Sequence, residues 1–426
     1  MKKKVLSLLL CLSVVCMTAA CGKESGTSES GQTTIAVETE AAGNEAESGE
    51  NEGTASGSET EGAEDETAGS EAESDAAEAD ETDGTISVVD QNGMTATIKE
   101  NPERLVTTAL PLPSIYALTG APIEYLVGVH PGSTSAIENS VMASMYPELS
   151  GIADNFIEGT DVNVEELLKL EPDVVLYWAE YLEQYQAMNN AGISAVGVKT
   201  QGDGDVLVTL ESWLEIMGEI FGTTGNVQEV IDYGRQVETE IAEKTSQIAE
   251  EDKPRVLYLY NHSTEDISVS GTAFYGDYWI NAGGGINVAA ELTGPTSVNM
   301  EQIYEWNPDI IIITTFTETM PEDLYNNTID GQDWSPINAV ANGKVYKEPL
   351  GVYRWFPPSG DAPLMLKWMA QTLNPEVFTY DMNEEIKAYY EKFYSYSLTD
   401  EQVEGILSAN PEAAKGANFG GTANRK

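Results

Sequence analysis

One motif, written twice, constrains this 426-residue chain more than any other feature. Val162-Asn163-Val164-Glu165-Glu166-Leu167, followed by Pro172-Asp173-Val174-Val175-Leu176, recurs as Val298-Asn299-Met300-Glu301-Gln302-Ile303, followed by Pro308-Asp309-Ile310-Ile311-Ile312. The offset is constant and no gap is needed. In both copies Asn stands at a helix N-cap and Glu166 or Gln302 three residues on, the pattern of a capping box. Proline then ends the helix and starts a strand. Two copies of such a unit predict two similar lobes with a cleft between them. Between the copies lies the stretch 226–251. Its apolar Val227, Val230, Ile231, Val237, Ile241 and Ile248 mostly follow the spacing of one helix face. Asn226 with Glu229 reads as a capping-box start, and Pro254 bars continuation much past Asp252. About 25 residues at 1.5 Å rise give a rod of roughly 37 Å. A helix has no soft hinge, so such a strut predicts small lobe movements rather than wide closure, with Gly234 the place where it would give.

The first 84 residues are not domain material. Residues 1–20 carry Lys2, Lys3 and Lys4, an apolar run over 5–17, and Thr18-Ala19-Ala20 before Cys21. This is the layout of a secretory signal peptide, with an apolar core too short for a permanent membrane span. A cysteine after two alanines resembles the bacterial lipoprotein lipobox, in which that cysteine receives the lipid; Thr18 departs from the usual aliphatic residue. Cys21 is therefore the expected lipidation site. Cys11 and Cys16 fall in the leader, so the mature chain keeps no disulfide and no thiol for metal binding or catalysis. Residues 22–84 hold 20 carboxylates against one lysine, Lys23, a composition that cannot bury enough surface to fold. It reads as a disordered acidic tether with a root-mean-square reach of about 45 Å. From residue 85 onward 17 Lys and Arg face 51 Asp and Glu, a net charge of −34. That excludes nucleic acid as a partner and leaves the lipid anchor as the only membrane attachment.

After the tether, β-rich runs at 85–89 and 95–99 flank the turn signal Gln91-Asn92-Gly93. Strands are expected over 104–108, 125–129, 174–177 and 194–198, then over 255–260, 310–314 and 344–347. Helical stretches alternate with them at 164–170, 206–221, 300–306, 362–373 and 383–394. This alternation predicts α/β architecture: two Rossmann-like lobes with mostly parallel sheets, joined by one long interdomain helix. The lobes span 85–222 and 253–408, the helix 223–252, and a flexible tail 409–426. The arrangement resembles the iron-chelate and vitamin B12 class of ABC-importer substrate-binding proteins, whose lobes are joined by a single long helix. The resemblance rests on the opening hairpin, Asn101-Pro102-Glu103-Arg104-Leu105-Val106, both helix-Pro-Asp-strand motifs, Gly284-Gly285-Ile286-Asn287-Val288-Ala289 and Gly343-Lys344-Val345-Tyr346. It implies a monomeric receptor that hands its ligand to a permease dimer with ATPase subunits.

Glu165 and Glu301 hold the same position in the two copies, and Glu166 and Gln302 leave them free of capping duty. Carboxylates near a helix N-terminus gain a few tenths to about 1 kcal/mol from the dipole alone. As a pair on separate lobes they suit a partner with two-fold symmetry, and the resemblance implies that they dock onto permease arginines.

In α/β lobes, ligand groups come from loops at the carboxyl ends of strands. Those loops offer His130, Trp178, Tyr181, Phe316, Arg354 and Trp355, with Tyr275 a weaker candidate beside Trp279. Arg354 is the only arginine in such a loop and is suited to bidentate pairing with an anionic ligand, a surface ion pair being the alternative. The aromatic residues are suited to stacking on a flat ligand. His130 is a candidate metal or chelate contact. With two histidines, His130 and His262, and no thiol, a histidine-rich metal cluster cannot be built. A metal must arrive wrapped in a chelator, and no cofactor of the protein's own is expected. The expected role is an extracytoplasmic receptor for a metal chelate, foremost a ferric siderophore. Haem, cobamide or an oxyanion such as molybdate stand as alternatives on the same fold. No nucleophile elbow, phosphate loop or His/Cys constellation supports an enzyme. A cell-wall glycosidase or an adhesin lipoprotein is the reading from another class.

Overall fold

The computed structural model describes residues 84–159, 161–408 and 410–414; the expected signal peptide, Cys21, the tether and most of the expected tail lie outside them. The described chain opens with an antiparallel hairpin, β1 (Thr85–Val89) and β2 (Thr95–Lys99). Its turn is wider than an Asn-Gly pair, because Asp90 Oδ1 accepts from the backbone N–H of both Asn92 and Met94. The first lobe contains β3 (Leu105–Thr107), β4 (Leu126–Val129), the short antiparallel pair β5 (Ile157–Glu158) and β6 (Asp161–Val162), β7 (Val174–Trp178) and β8 (Ala195–Val198). Four of them form one sheet in the order β4-β3-β7-β8, parallel throughout.

The second lobe contains β9 (Arg255–His262), β10 (Ile267–Ser270), β11 (Ile286–Asn287), β12 (Pro295–Ser297), β13 (Ile310–Ile313) and β14 (Val345–Lys347). Their order is β12-β10-β9-β13-β14, with β11 also on β9. β9, β11, β13 and β14 run parallel, and β10 and β12 add an antiparallel edge. Ile310 and Ile312 enter one apolar cluster and Ile311 and Ile313 another. Burial on both faces is why this strand reads as a continuous apolar run rather than an alternating one.

The connecting helix is Thr224–Thr245, 22 residues and about 33 Å long, shorter at its C-terminal end than the sequence suggests. Proline does not stop it. Ser246 Oγ and Gln247 Nε2 both donate to Glu243 O, and Thr245 Oγ1 donates to Ala242 O, so polar side chains compete for the last turn. The start differs as well. The N-cap is Thr223, and Asn226 donates to Thr119 O instead of capping. Val227, Val230, Ile231, Val237 and Ile241 are buried as the stripe predicts. The helix packs on helix Val206–Phe221 of the first lobe and on helices Tyr275–Ala282 and Ala362–Leu373 of the second. One apolar cluster therefore runs from Leu105 through Val230 to Leu366.

Past helix Met382–Phe393 the chain returns to the first lobe. Gln402 donates to Ser144, and Asn410 donates to Asn139 O. Part of the stretch expected to be a flexible tail is ordered structure: Pro411–Ala414 forms a 3-10 turn with Ala413 and Ala414 buried.

Candidate functional site

The carboxyl ends of β9 and β13 and the loop after β14 bring a group of aromatic side chains together. Phe356 is the hub, with ring centroids 5.1 Å from Tyr258, 5.4 Å from Tyr260, 5.2 Å from Phe274, 5.6 Å from Tyr275 and 6.2 Å from Phe316. Tyr260, Phe274, Tyr275 and Phe316 are half-buried; Phe356 is buried. Burial raises the Tyr275 hydroxyl to about 12, and this hydroxyl lies 2.8 Å from Thr200 Oγ1 of the first lobe. The lobes also meet where Gly204 (φ +93) faces Phe274; a Cβ there would lie 2.9 Å from Phe274 N, so only glycine fits. Gly360 N donates to Ser114 Oγ across the same divide.

Arg354 belongs to this cluster. Its guanidinium carbon is 5.0 Å from the Phe316 centroid and 5.4 Å from that of Tyr353, cation–π distances. It is 0 % exposed and forms no ion pair among the described residues, so the surface ion pair is ruled out. Nη2 donates to Ala413 O at 2.5 Å and the guanidinium draws down the burial-raised pKa of the Tyr353 hydroxyl, while Nε and Nη1 make no hydrogen bond of good geometry. A buried guanidinium left with unused donors costs several kcal/mol unless something supplies acceptors.

Two buried carboxylates hold the cluster in place. Glu348, fully buried, accepts from Tyr258 Oη, Thr315 N and Thr315 Oγ1, tying β9 to the loop that carries Phe316. Burial pushes its pKa up to about 7 despite those donors. Neighbouring Lys347, lowered to about 8 by burial, donates to Thr317 O and Thr319 O of the same loop. Asp361, also fully buried, accepts from Val352 N, Trp355 Nε1, Tyr390 Oη and Tyr394 Oη. It folds the Arg354 loop back on helix Met382–Phe393. Burial raises its pKa, and the four donors oppose that rise.

The other expected contacts take these places. Trp355, 0 % exposed as Arg354 is, donates its indole N–H to Asp361 and supports the loop. Trp279 is likewise buried, donating to Phe356 O. His130 is the N-cap of helix Pro131–Glu138: Nδ1 accepts from Gly132 N, the ring also bonds the Gly159 backbone, and burial lowers its pKa to about 4. In this structure the ring serves the backbone. Trp178 and Tyr181 are half-buried on the first lobe, and Trp178 packs edge-on against Trp213. His262 bridges Thr319 and Gln332. Among the described residues no group of three or more His, Cys, Asp or Glu side chains is placed to hold a metal ion.

The two motif copies also match in three dimensions. Asn163 accepts from Glu166 N and Asn299 from Gln302 N. Only this half of the capping box forms in either copy; in the first, the Glu166 carboxylate turns to Lys169. Glu165 and Glu301 are exposed, and neither carboxylate has a hydrogen bond or ion pair among the described residues. One turn on, Leu168 and Tyr304 are 45 % and 40 % exposed.

Two α/β lobes braced by one helix, with loops facing each other across a cleft, define a ligand-binding receptor. A family model described as periplasmic binding protein matches residues 115–349, and the chain belongs to that family. A periplasmic solute-binding protein from Veillonella parvula is 33 % identical, with a TM-score of 0.70 over 76 % of this chain and 97 % of its own. The molybdate-binding protein MolA of Haemophilus influenzae is 25 % identical over 257 residues, 55 % of this chain and 71 % of that one. The Bacillus subtilis ABC transporter substrate-binding lipoprotein YvrC is 23 % identical over 266 residues, 61 % and 77 % of the two chains.

Proposed function

We propose that this protein is the extracytoplasmic receptor of an ABC importer, that it is not an enzyme, and that its cargo is an anionic metal chelate, foremost a ferric siderophore. The observation that carries this reading is Arg354, a buried guanidinium with two unpartnered nitrogens set in an aromatic cluster. A guanidinium takes carboxylate or catecholate oxygens bidentately, and rings of Tyr260, Tyr275 and Phe316 give a flat organic chelator an apolar surface. Cys21 would carry the lipid and the acidic stretch would act as tether. Glu165 and Glu301, exposed and unpaired, would meet basic residues of a two-fold permease. A second reading, molybdate, is favoured by the likeness to MolA and by the same arginine. The size of the aromatic cluster favours the organic chelate, since a small oxyanion needs N–H donors and has no use for rings.

Thermal melting against ferric catecholate and hydroxamate siderophores, haemin, cyanocobalamin and molybdate separates these readings. A ferric siderophore at 100 times its Kd should stabilise the protein by about 2.7 kcal/mol. A rise with molybdate alone would replace the chelate by the oxyanion, and native mass spectrometry finding only a bare divalent ion would remove both.

A further inference from the structure

The residues flanking Arg354 do not leave its third nitrogen idle: the acceptor on Nη2 is the carbonyl of Ala413, from the protein's own C-terminal segment. That segment touches both lobes. Asn410 Nδ2 donates to Asn139 O at 3.1 Å, at the end of the first-lobe helix Pro131–Glu138, and Asn410 Oδ1 accepts from Glu412 N, which turns the chain inward. Ala413 is 0 % exposed, and the guanidinium under it is equally buried. A neutral carbonyl is a poor match for a buried guanidinium. It satisfies one of three nitrogens, whereas an ionised ligand with two coplanar oxygens would satisfy two and neutralise the charge.

We infer that the segment 410–414 is a built-in plug, with the Ala413 carbonyl standing where an anionic oxygen of the cargo binds, so that loading requires the segment to leave. This rests on the assignment of Arg354 to the cargo. The plug is tethered through helix Asp400–Leu407 and so competes at a high fixed local concentration. A segment seated nine times in ten lowers apparent affinity about tenfold. A cargo with a single weak acceptor cannot displace it; a doubly bonded anion can. The plug thus acts as a selectivity filter as well as a cover.

The test needs no knowledge of the cargo. Phenylglyoxal modifies accessible guanidinium groups, and peptide mass mapping reads Arg354 separately from other arginines. Two variants unseat the plug: a stop after Ser408, and the full chain with Ala413→Lys, which puts bulk and a like charge beside the guanidinium. Arg354 should be protected in the parent and modified at least tenfold faster in both variants. Affinity for molybdate and for a ferric catecholate siderophore, the two probes, is measured in parallel. Whichever binds should bind about tenfold tighter to the variants. Protection of Arg354 that persists in both variants overturns the plug. So does a probe that binds parent and variants equally. If Arg354 is unmasked while neither probe binds any form, the plug stands and the assignment of Arg354 to these cargo classes fails.

Discussion

The two copies of the repeated motif agree on one side and part company on the other. Arg104 donates to Leu170 O and Arg255 to Trp306 O, while Asp173 accepts from Arg104 N and Asp309 from Arg255 N. The residue after each of these carbonyls is left-handed, Glu171 at φ 45 and Asn307 at φ 38. The free glutamate and the exposed apolar residue one turn later are also shared. Beyond the strands the likeness ends. β7 ends at Trp178 and leads into Tyr181, whereas β13 leads into Phe316 and the neighbouring β14 into the buried Glu348 and Arg354. A two-fold partner calls for a symmetric surface, and a ligand held by one cation does not.

The largest effect should come from the asymmetric side. Arg354→Gln removes two charge-assisted bonds and should weaken binding of a stabilising ligand by about 3 kcal/mol, more than a hundredfold. Isothermal titration would read it, with Trp178→Phe on the first lobe as a control that changes affinity little. On the symmetric side, Glu165→Lys and Glu301→Lys should each cut uptake by more than tenfold and leave ligand affinity unchanged. Equal losses support a two-fold partner; a loss confined to one variant breaks the comparison.

Glu348 has no counterpart in the first motif copy and gives the next effect. Its folded pKa, about 7, lies above the ordinary 4.5, so the folded state holds the proton more tightly than the unfolded chain. The stability this provides is fully present below about pH 4.5 and is lost as pH rises through about 7. The loss is about 3 kcal/mol. Chemical denaturation of the parent should show it across that window, and Glu348→Gln should flatten the curve there.

The smallest effect tests the shared side. The left-handed conformation suits Asn307 and strains Glu171, so Glu171→Asn should stabilise by up to about 1 kcal/mol. A null result in urea unfolding would mean that the first copy already relieves the strain elsewhere.

What could be read from residues alone follows the same division. Helices Val206–Phe221, Met300–Trp306 and Ala362–Leu373 carry their bounds in apolar spacing and caps, which are local properties. The repeat was legible because identical local chemistry was written twice. The ligand side was legible only in outline. Arg354 stood out as a rare cation in an acidic chain, but Phe356, Tyr260 and Phe274 meet only through folding, and Phe356 lies beside Trp355, which faces the other way. Asp361 and Glu348 were hidden among 71 acidic residues; burial distinguishes them, and burial is not written in one residue. His130 before Pro131 did carry a signal, since a polar residue preceding a proline at a helix start is a cap position.

The connecting helix has a further consequence, for unfolding. Its buried stripe belongs to an apolar cluster that contains strand residues of both sheets. Neither lobe owns a complete interior without it, so neither should survive the other's loss. Calorimetry of residues 84–426 should therefore show one transition whose van't Hoff and calorimetric enthalpies agree, where two independently folded lobes would give two. Gly234→Ala probes that shared interior from inside. A Cβ there meets only Pro363 Cγ at 3.8 Å, and the substitution should raise the single melting temperature by the equivalent of about 0.5–1 kcal/mol.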